Sequence, residues 1–439
     1  MRYITDFSKS KELQKKSHKL IPGGAHTYSK GDDQFPENAP GFIAKGQGSH
    51  AWDIDGNEYI DYGMGLRSVT LGHCYKPVLD AVYGQLKLGT NFTRPSPIEV
   101  EAAEEVVKMI PTAEMVKFAK NGSTATTAAV KLARAYTKRD KVALCAEHPF
   151  FSYDDWAIGA SVIDRGVPKA IKDLTLKFNY NNIESLKKLF EDNPDGISCI
   201  IMEAGTLEEP KDNFLKGVEE VCHRNGALFI LDEMITGFRW DKSGAQAKYK
   251  IKPDMSTFGK GMANGFSVAA LVGKREVMDL GGIYHDEERV FLISTTHGAE
   301  NHSLAACIAT LREYKNKDVV GHMARMGELL KDGLNSLARE KGVSDYIEVA
   351  GMPCNLAILC KDEKKQISMP FRTLFLQETI KRGILIPWVA ISFSHTEEDV
   401  DQTIEAFDEV LDVYKKALDE GVEKYLVGMP VKPVFRKYN

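Results

Sequence analysis

The order of apolar and polar positions predicts a chain of short strands and helices. Residues 42–62 alternate between the two kinds of position, and Asp55-Gly56 within them is typical of a β-hairpin turn. From about residue 75 helices alternate with short apolar strands. The predicted elements are helices at 97–109, 124–138, 183–191 and 214–224 and strands at 141–145, 197–202 and 227–231. This alternation predicts an α/β fold with helices on both faces of a mainly parallel sheet.

The two ends of the chain have a different pattern. Residues 9–20 predict a short helix that ends at Pro22-Gly23-Gly24, and an irregular segment follows. A long amphipathic helix at 319–341 opens a segment of mixed strands and helices, and residues 427–439 are expected to be extended. The predicted domains are a large central one and a small α+β one built from both chain ends: 76–315, and 1–75 with 316–439.

Composition and charge narrow the class of protein. The 439 residues are 43% apolar and 27% charged, as in ordinary globular proteins. With 57 basic and 62 acidic side chains the net charge is −5, which does not favour a nucleic-acid partner. No apolar run approaches the roughly 18 residues of a membrane span, and the charged start, MRYITDFSKSKELQKKSHKLIPGG, lacks the apolar centre of a signal peptide. We therefore expect a cytoplasmic enzyme without a membrane partner.

The cysteines do not indicate a metal site. They are odd in number and scattered, and no C-x-x-C pair offers the short spacing of zinc ligands. We interpret them as buried apolar thiols in a reducing compartment. The seven are Cys74, Cys145, Cys199, Cys222, Cys307, Cys354 and Cys360.

Two neighbouring segments carry the strongest chemical signal. The strand in ALFILDEMITGFRW (227–240) ends at the carboxylate pair Asp232-Glu233, at the sheet edge where α/β proteins bind ligands. Downstream, DMSTFGKGMANG (254–265) places Lys260 between two glycines in a stretch with little other charge. Composition alone favours a solvated loop lysine, and the combination with the aspartate favours a group held near a cofactor.

A strand-end aspartate followed by a lysine in S-T-F-G-K-G resembles the fold-type-I enzymes that use pyridoxal 5′-phosphate (PLP), and more narrowly the class III aminotransferases. The resemblance implies that the Lys260 amine forms a Schiff base with the cofactor aldehyde. It implies that Asp232 pairs with the protonated pyridine nitrogen and keeps the ring an effective electron sink. It also implies the PLP-dependent transferase fold type I, with transaminase activity.

A second segment, KNGSTATTAAVKLARAYTKRDK (120–141), resembles the phosphate loop of that family. Gly122 and Ser123 occupy the family's Gly-Thr positions, and Thr124 stands where the family usually has glutamate. Backbone N–H groups at the helix N-terminus would hold the cofactor phosphate. The alternative is an ordinary N-capped helix.

Further segments resemble the family's contacts to the cofactor ring and to a second subunit. AEHPFFSYDDW (146–156) implies that Phe150 stacks on one face of the pyridine ring, and Phe151 occupies the family's histidine position. Met234 would pack against the opposite face, although both Phe150 and Met234 could be plain core residues. FLISTTHGAEN (291–301) resembles the segment that crosses the dimer interface, which implies that Thr296 binds the phosphate of the neighbouring subunit's cofactor. The expected assembly is a homodimer with composite active sites.

The resemblance is closest to the glutamate-1-semialdehyde aminomutase branch of the family, through IPGG, AWDIDGNEYIDY, DEMITGFRW and SHTEEDV. The chain departs from it at the substrate. Lys30 stands at the position of the arginine that grips the substrate carboxylate, and arginine and lysine are not interchangeable there. Arg67, in GMGLRSVTLGH (63–73), is either a surface residue or a displaced carboxylate anchor.

These departures favour an aminotransferase that moves an amino group from an amino acid, for which we expect L-glutamate, to a keto or aldehyde acceptor. The acceptor class suggested by the resemblance is a sugar or small aldehyde of surface-polysaccharide or specialised metabolism. Arg67 is the first candidate for the donor carboxylate and Lys30 the second. The alternative is the aminomutase, an isomerase that needs no separate amino donor. A non-catalytic protein of this fold is disfavoured by the joint presence of Lys260, Asp232 and the phosphate loop, and racemases of the same fold are not separated by the sequence.

Overall fold

A computed structural model describes residues 3–148 and 150–438. The helices are α1 Ser8–Leu20, α2 Met64–Arg67, α3 Lys76–Leu86, α4 Pro97–Met109, α5 Gly122–Thr137, α6 Asp155–Ile158, α7 Lys169–Lys172, α8 Ile183–Glu191, α9 Phe214–Arg224, α10 Ala245–Lys248, α11 Arg275–Met278, α12 Asn301–Asn316, α13 Val319–Glu340, α14 Met369–Lys381 and α15 Glu397–Glu420. The strands are β1 Ile43–Gln47, β2 His50–Asp53, β3 Glu58–Asp61, β4 Met115–Ala119, β5 Lys141–Cys145, β6 Thr175–Phe178, β7 Ile197–Glu203, β8 Leu228–Asp232, β9 Met255–Phe258, β10 Ala269–Gly273, β11 Ile347–Met352, β12 Asn355–Cys360, β13 Ile384–Leu385 and β14 Val389–Ala390.

The chain forms two compact units. The central unit is Lys76–Val320, and the terminal unit consists of the described residues up to Tyr75 and from Gly321 onward. The predicted boundary at residue 315 falls inside α12, which continues to Asn316. Helix α12 is followed closely by α13, which starts at Val319, so the sequence offers no long linker to mark the division.

The central unit contains a seven-stranded sheet in the order β4-β10-β9-β8-β7-β5-β6. The pairs from β9 through β6 are parallel, and β10 runs antiparallel to both of its neighbours. The predicted α/β class with a mainly parallel sheet is confirmed. The carboxyl ends of β8 and β7 lie side by side, since Asp232 pairs with Glu203 in the register.

The core of the central unit explains why its strands are continuous apolar runs. Every residue of β8 and β10 is buried, as are the first six residues of β7. Strands of this kind have both faces covered by helices. Helix α5 presents small buried residues to the sheet, and these permit close packing (Ala125, Ala128, Ala129 and Ala133).

The terminal unit contains two small sheets, β1-β2-β3-β13 and β11-β12-β14. The predicted hairpin is formed by β2 and β3, in which His50 pairs with Ile60. The closing stretch after residue 426 is irregular and tied to α14. There Val427 N donates to Gln377 Oε1 at 2.7 Å, and Val431 N donates to Thr373 Oγ1 at 2.8 Å.

The cysteines follow the predicted burial with one correction. Six are buried, and Cys74 is exposed because it lies in an irregular turn with a left-handed backbone, φ 51°. In the part of the chain that the structure describes, no helix combines the length and apolar character needed to cross a bilayer.

Candidate active site

Asp232 is the last residue of β8 and is only 3% exposed. Its Oδ1 accepts hydrogen bonds from Met234 N at 2.9 Å and Thr257 Oγ1 at 3.0 Å. Burial raises the pKa of this carboxyl, while the positive charge of Lys260 and the two hydrogen bonds act in the opposite direction. Both of these hydrogen bonds end on Oδ1 and fix the orientation of the carboxylate. Oδ2 is therefore placed to accept a hydrogen bond from a ligand.

Glu233, the other member of the carboxylate pair, is fully buried and already occupied. Its Oε2 accepts from Ala245 N at 2.9 Å and from Thr236 Oγ1, and its Oε1 accepts from Gln246 N at 2.9 Å. These N–H groups open the short helix α10. Glu233 therefore holds the loop after β8 in place, and its geometry gives it a structural role.

Met234 joins the three predicted cofactor segments. Its side chain is buried, and a Cβ added at Gly122 would lie 2.9 Å from Met234 Sδ. A Cβ added at Gly259 would lie 2.7 Å from the same sulfur. Real Cβ atoms do not approach sulfur this closely, so an alanine at either position would force the Met234 side chain to shift. The phosphate loop, the end of β8 and the lysine turn thus meet at one sulfur atom.

The N-terminus of α5 lies at the end of the predicted phosphate loop. Asn121 caps the helix by accepting from Thr124 N at 3.0 Å, and Gly122 and Ser123 supply the N–H groups that precede it. The hydroxyl of Ser123 accepts from Tyr153 N at 3.3 Å, which ties the aromatic segment to the start of the helix. Phe150 is 48% exposed, so it is not a core residue, in contrast to the buried Phe151.

Lys260 opens a 3₁₀ turn, Lys260–Ala263, which Gly259 separates from the end of β9. Its backbone is left-handed, with φ 40°, a conformation that costs non-glycine residues about 1–3 kcal/mol. Its charge acts on Asp232, so the two residues predicted as the catalytic pair lie within electrostatic reach of each other. The sheet register explains the approach, since Asp232 pairs with Thr257 on β9.

Thr296 lies in an exposed segment that is hydrogen-bonded to the loop after α3. Its carbonyl accepts from Asn91 Nδ2 at 2.9 Å, and Asn301 N donates to Thr90 O at 3.0 Å. Lys120, just before the phosphate loop, forms an ion pair with Glu300. That pair lowers the pKa of Glu300, chiefly through the Lys120 hydrogen bond.

In the terminal unit, Arg67 closes an unusual turn. The φ angles of the four consecutive residues Met64, Gly65, Leu66 and Arg67 are 39°, 58°, 60° and 69°. All four are left-handed, and only one of them is glycine. A left-handed turn costs L-residues roughly 1–2 kcal/mol each. Arg67 Nε donates to Asn355 Oδ1 at 2.6 Å, and its guanidinium lies 5.4 Å from the ring centroid of Trp388. Arg67 is therefore a held, half-buried residue and not a plain surface arginine.

Lys30 has a different environment within the terminal unit. It ends an exposed 3₁₀ turn and lines a cavity of about 350 Å³ together with Lys11 and Lys432. Arg67, Asn355 and Trp388 do not line that cavity. The structure therefore places the two predicted substrate residues in separate environments.

Comparisons with known proteins bear on the family. The family model described as aminotransferase class-III matches residues 33–411. This chain belongs to that family. A glutamate-1-semialdehyde 2,1-aminomutase from Methanosphaera stadtmanae is 34% identical over 421 residues, which cover 91% of this chain and 97% of the relative. A protein of the same name from Desulforamulus reducens is 31% identical over 427 residues, which cover 91% and 96%.

Among solved structures, the FumI protein of Sphingopyxis sp. MTA144 superposes with a TM-score of 0.86 at 24% identity, covering 94% of this chain and 98% of that one. The predicted fold type I is thereby confirmed. The chain is a PLP-dependent class III aminotransferase, so the predicted enzyme class and cofactor are confirmed as well.

The residues of the aminotransferase fit the cofactor. An anion fits the N-terminus of α5, where the lack of a Cβ at Gly122 leaves room for the Met234 side chain. A protonated ring nitrogen fits Asp232 Oδ2, and an aldehyde fits the amine of Lys260, whose charge already acts on that carboxylate. These are the residues that would hold PLP.

Several contacts of the predicted residues were not found from the sequence. Thr257, which fixes Asp232, and Gly259, which accommodates Met234, belong to the quoted segment 254–265, but only the sheet register reveals their roles. Asn355 and Trp388, the partners of Arg67, lie in short strands and loops without a motif. No sequence signal could have linked them to Arg67.

Proposed function

We propose that this aminotransferase takes an amino group from an amino acid donor, L-glutamate in the first instance, and transfers it to a keto or aldehyde acceptor. The observation that carries the proposal is the held guanidinium of Arg67, fixed by Asn355 and Trp388 in a left-handed turn. A planar guanidinium of fixed orientation suits the carboxylate of an amino acid.

When bound, PLP supplies the electron sink that stabilises charge at the substrate α-carbon. Lys260 is the proposed residue for attaching the cofactor and for moving the proton at that carbon. Asp232 would accept a hydrogen bond from the pyridine nitrogen through Oδ2, since Met234 N and Thr257 Oγ1 already occupy Oδ1. Lys260→Ala should abolish turnover, and wild-type transamination by that variant would contradict the assignment.

The acceptor is proposed to be a sugar or small aldehyde without an α-carboxylate. This is supported by Lys30, which stands where the aminomutase branch has its carboxylate-binding arginine and which lies exposed in a separate cavity. An acceptor without a carboxylate has less need of that arginine.

The active form is proposed to be a homodimer in which Thr296 reaches the partner's cofactor phosphate. This proposal is supported by exposed apolar side chains on two segments of the chain. Hydrogen bonds of Asn91 and Asn301 connect these two segments. These side chains are Leu88 and Phe92 in one segment and Ile283, Tyr284 and Phe291 in and before the other. Large exposed apolar groups that lie together are typical of protein interfaces.

The substrate assignment is tested by single-turnover reaction of the PLP-loaded enzyme with L-glutamate. Arg67→Ala should raise the KM for the donor about 10-fold or more, as expected when a charged hydrogen-bond partner is lost. The acceptor half-reaction should change less. A donor KM that stays within twofold of wild type would contradict the proposed role of Arg67.

The aminomutase activity is the second candidate, because relatives of that name align over nearly the whole chain. Incubation with glutamate-1-semialdehyde without an amino donor separates the two functions. Efficient conversion to 5-aminolevulinate would establish the isomerase and contradict the proposed transfer between two molecules.

A further inference from the structure

The turn that carries Arg67 is fixed at several points by the terminal unit. Asp61 Oδ1 accepts from Gly63 N at 2.8 Å and from Met64 N at 3.2 Å. From the other side, Trp388 Nε1 donates to Gly63 O at 2.9 Å. A run of left-handed residues persists only where surrounding contacts over-determine it. These contacts do so at the start of the turn.

The arginine side chain is fixed by two residues of one small sheet. Asn355 begins β12 and pairs with Ala390 of β14, and Trp388 directly precedes β14. Asn355 Oδ1 accepts a hydrogen bond from Arg67 Nε at 2.6 Å, and the centroid of the Trp388 ring lies 5.4 Å from the guanidinium carbon. One partner sets the direction of the guanidinium in its plane, and the other sets the tilt of that plane.

We propose that Asn355 and Trp388 are positioning residues for substrate recognition: they orient the Arg67 guanidinium for the carboxylate of the amino donor. The inference rests on the proposed function, because it assumes that Arg67 binds the donor. It deepens that function by assigning donor specificity to a clamp on β12 and before β14. It also predicts the donor class, namely amines that carry a carboxylate.

The geometry predicts how each partner should contribute. Loss of the Asn355 acceptor leaves Arg67 Nε without this anchor, so the guanidinium should sample more orientations before the donor binds. The cost should appear in donor affinity and much less in the maximal rate, because Asn355 is not proposed to touch the reacting atoms. Phenylalanine and leucine at position 388 both lose the Nε1 hydrogen bond to Gly63 O, and only phenylalanine keeps an aromatic face beneath the guanidinium. The difference between the two variants therefore measures the aromatic contact.

The experiment uses the PLP-loaded enzyme and two measurements. The first is the KM and maximal rate of the half-reaction with L-glutamate, compared with a primary amine that lacks a carboxylate. The second is the dissociation constant of glutarate, a dicarboxylate without an amino group, by calorimetric titration. Asn355→Ala and Trp388→Leu should each raise the glutamate KM and the glutarate Kd about 10-fold, with maximal rates within about twofold. Trp388→Phe should retain clearly more of the affinity than Trp388→Leu, and the primary amine should react as with wild type.

Asn335→Ala is the matched control. Asn335 bonds both the N–H and the carbonyl of Val349 on neighbouring β11, at 2.9 and 3.0 Å, and makes no contact with Arg67. It should lower thermal stability without changing donor affinity. In an Arg67→Ala background, Asn355→Ala should change the glutamate KM by less than about twofold, since the two residues act through one another.

The outcomes distinguish the inference from the function on which it rests. If Arg67→Ala raises KM and Kd while Asn355→Ala and Trp388→Leu leave both unchanged, the clamp is wrong and the proposed donor site stands. If Arg67→Ala changes neither value, the proposed donor site fails and the clamp fails with it. If Asn335→Ala raises the donor KM as much as Asn355→Ala does, the effect is general destabilisation and the clamp is wrong.

Discussion

Neutralising the two adjacent carboxylates at the end of β8 should have different effects. Loss of the Glu233 charge should lower stability, and loss of the Asp232 charge should lower turnover. Glu233→Gln keeps the size of the side chain and removes its charge. In the structure Oε2 faces Ala245 N and the Thr236 hydroxyl, and Oε1 faces the backbone and side-chain nitrogens of Gln246. An amide group must turn its NH₂ toward one of these pairs. The better choice is the pair with Thr236, because its hydroxyl can rotate and accept.

That choice still leaves the Ala245 N–H without an acceptor. A buried unsatisfied N–H costs about 1–3 kcal/mol, and the remaining hydrogen bonds lose the strength that the charge gave them. Relief from burying an ionised carboxylate offsets part of this loss. We therefore expect Glu233→Gln to destabilise the central unit by about 2–4 kcal/mol, a fall in Tm of about 4–8 °C at roughly 2 °C per kcal/mol.

Asp232→Asn is the control. Both of its hydrogen bonds end on Oδ1, which asparagine keeps, so the Tm should stay within about 2 °C of wild type. Turnover should fall at least about 100-fold, because the pyridine nitrogen loses its charged partner. Scanning calorimetry measures the first effect and the single-turnover reaction with L-glutamate the second. An unchanged Tm in Glu233→Gln would refute the structural role of Glu233, and full turnover in Asp232→Asn would refute the role of Asp232 toward the cofactor.

Three further outcomes are expected. Burial lowers the pKa of His148 and His395 to about 4, so between pH 6.5 and pH 4 only the unfolded chain takes up these protons. The free energy of unfolding should therefore decrease as the pH falls through that window, by up to about 3 kcal/mol per group. His395→Gln should flatten the profile of Tm against pH, and a profile as steep as that of wild type would contradict this. Gly122→Ala should weaken PLP binding at least about 10-fold in a PLP titration, because its Cβ would lie 2.9 Å from Met234 Sδ. Adding Met234→Ala to this variant should restore part of the affinity, and no recovery would contradict the steric explanation. Thr296→Val should lower PLP affinity without changing the oligomeric state measured by sedimentation, and a fully active monomer would overturn the composite site.

Local sequence predicted most of the central unit because its elements follow local rules. The bounds of α4 were predicted without error, since Ser96 and Glu99 form a capping box and Pro97 opens the helix. The apolar runs of β5 and β7 were equally clear, because buried parallel strands need no alternation. The predicted roles of Lys260 and Asp232 came from a family resemblance, and their spatial approach depends on the pairing of β8 with β9.

The turn at Met64–Arg67 shows where local rules end. Leucine and arginine avoid positive φ, so no propensity predicts a left-handed turn at Leu66 and Arg67. The conformation depends on residues far along the chain, since Asn355 follows Arg67 by 288 positions. Sequence patterns do not encode contacts between residues so far apart in the chain. The sequence alone therefore could not decide whether Arg67 is a surface residue or a carboxylate anchor.

The sulfur of Met234 has a consequence for how this enzyme can vary among its relatives. Two other segments approach it so closely that a single added methyl group at Gly122 or Gly259 would overlap it where it now lies. The three positions are therefore sterically coupled, and a larger residue at either glycine requires the methionine side chain to move or to be replaced. A relative with alanine at either glycine position should carry a smaller residue in place of the methionine, and substitutions at positions 122, 234 and 259 should occur together.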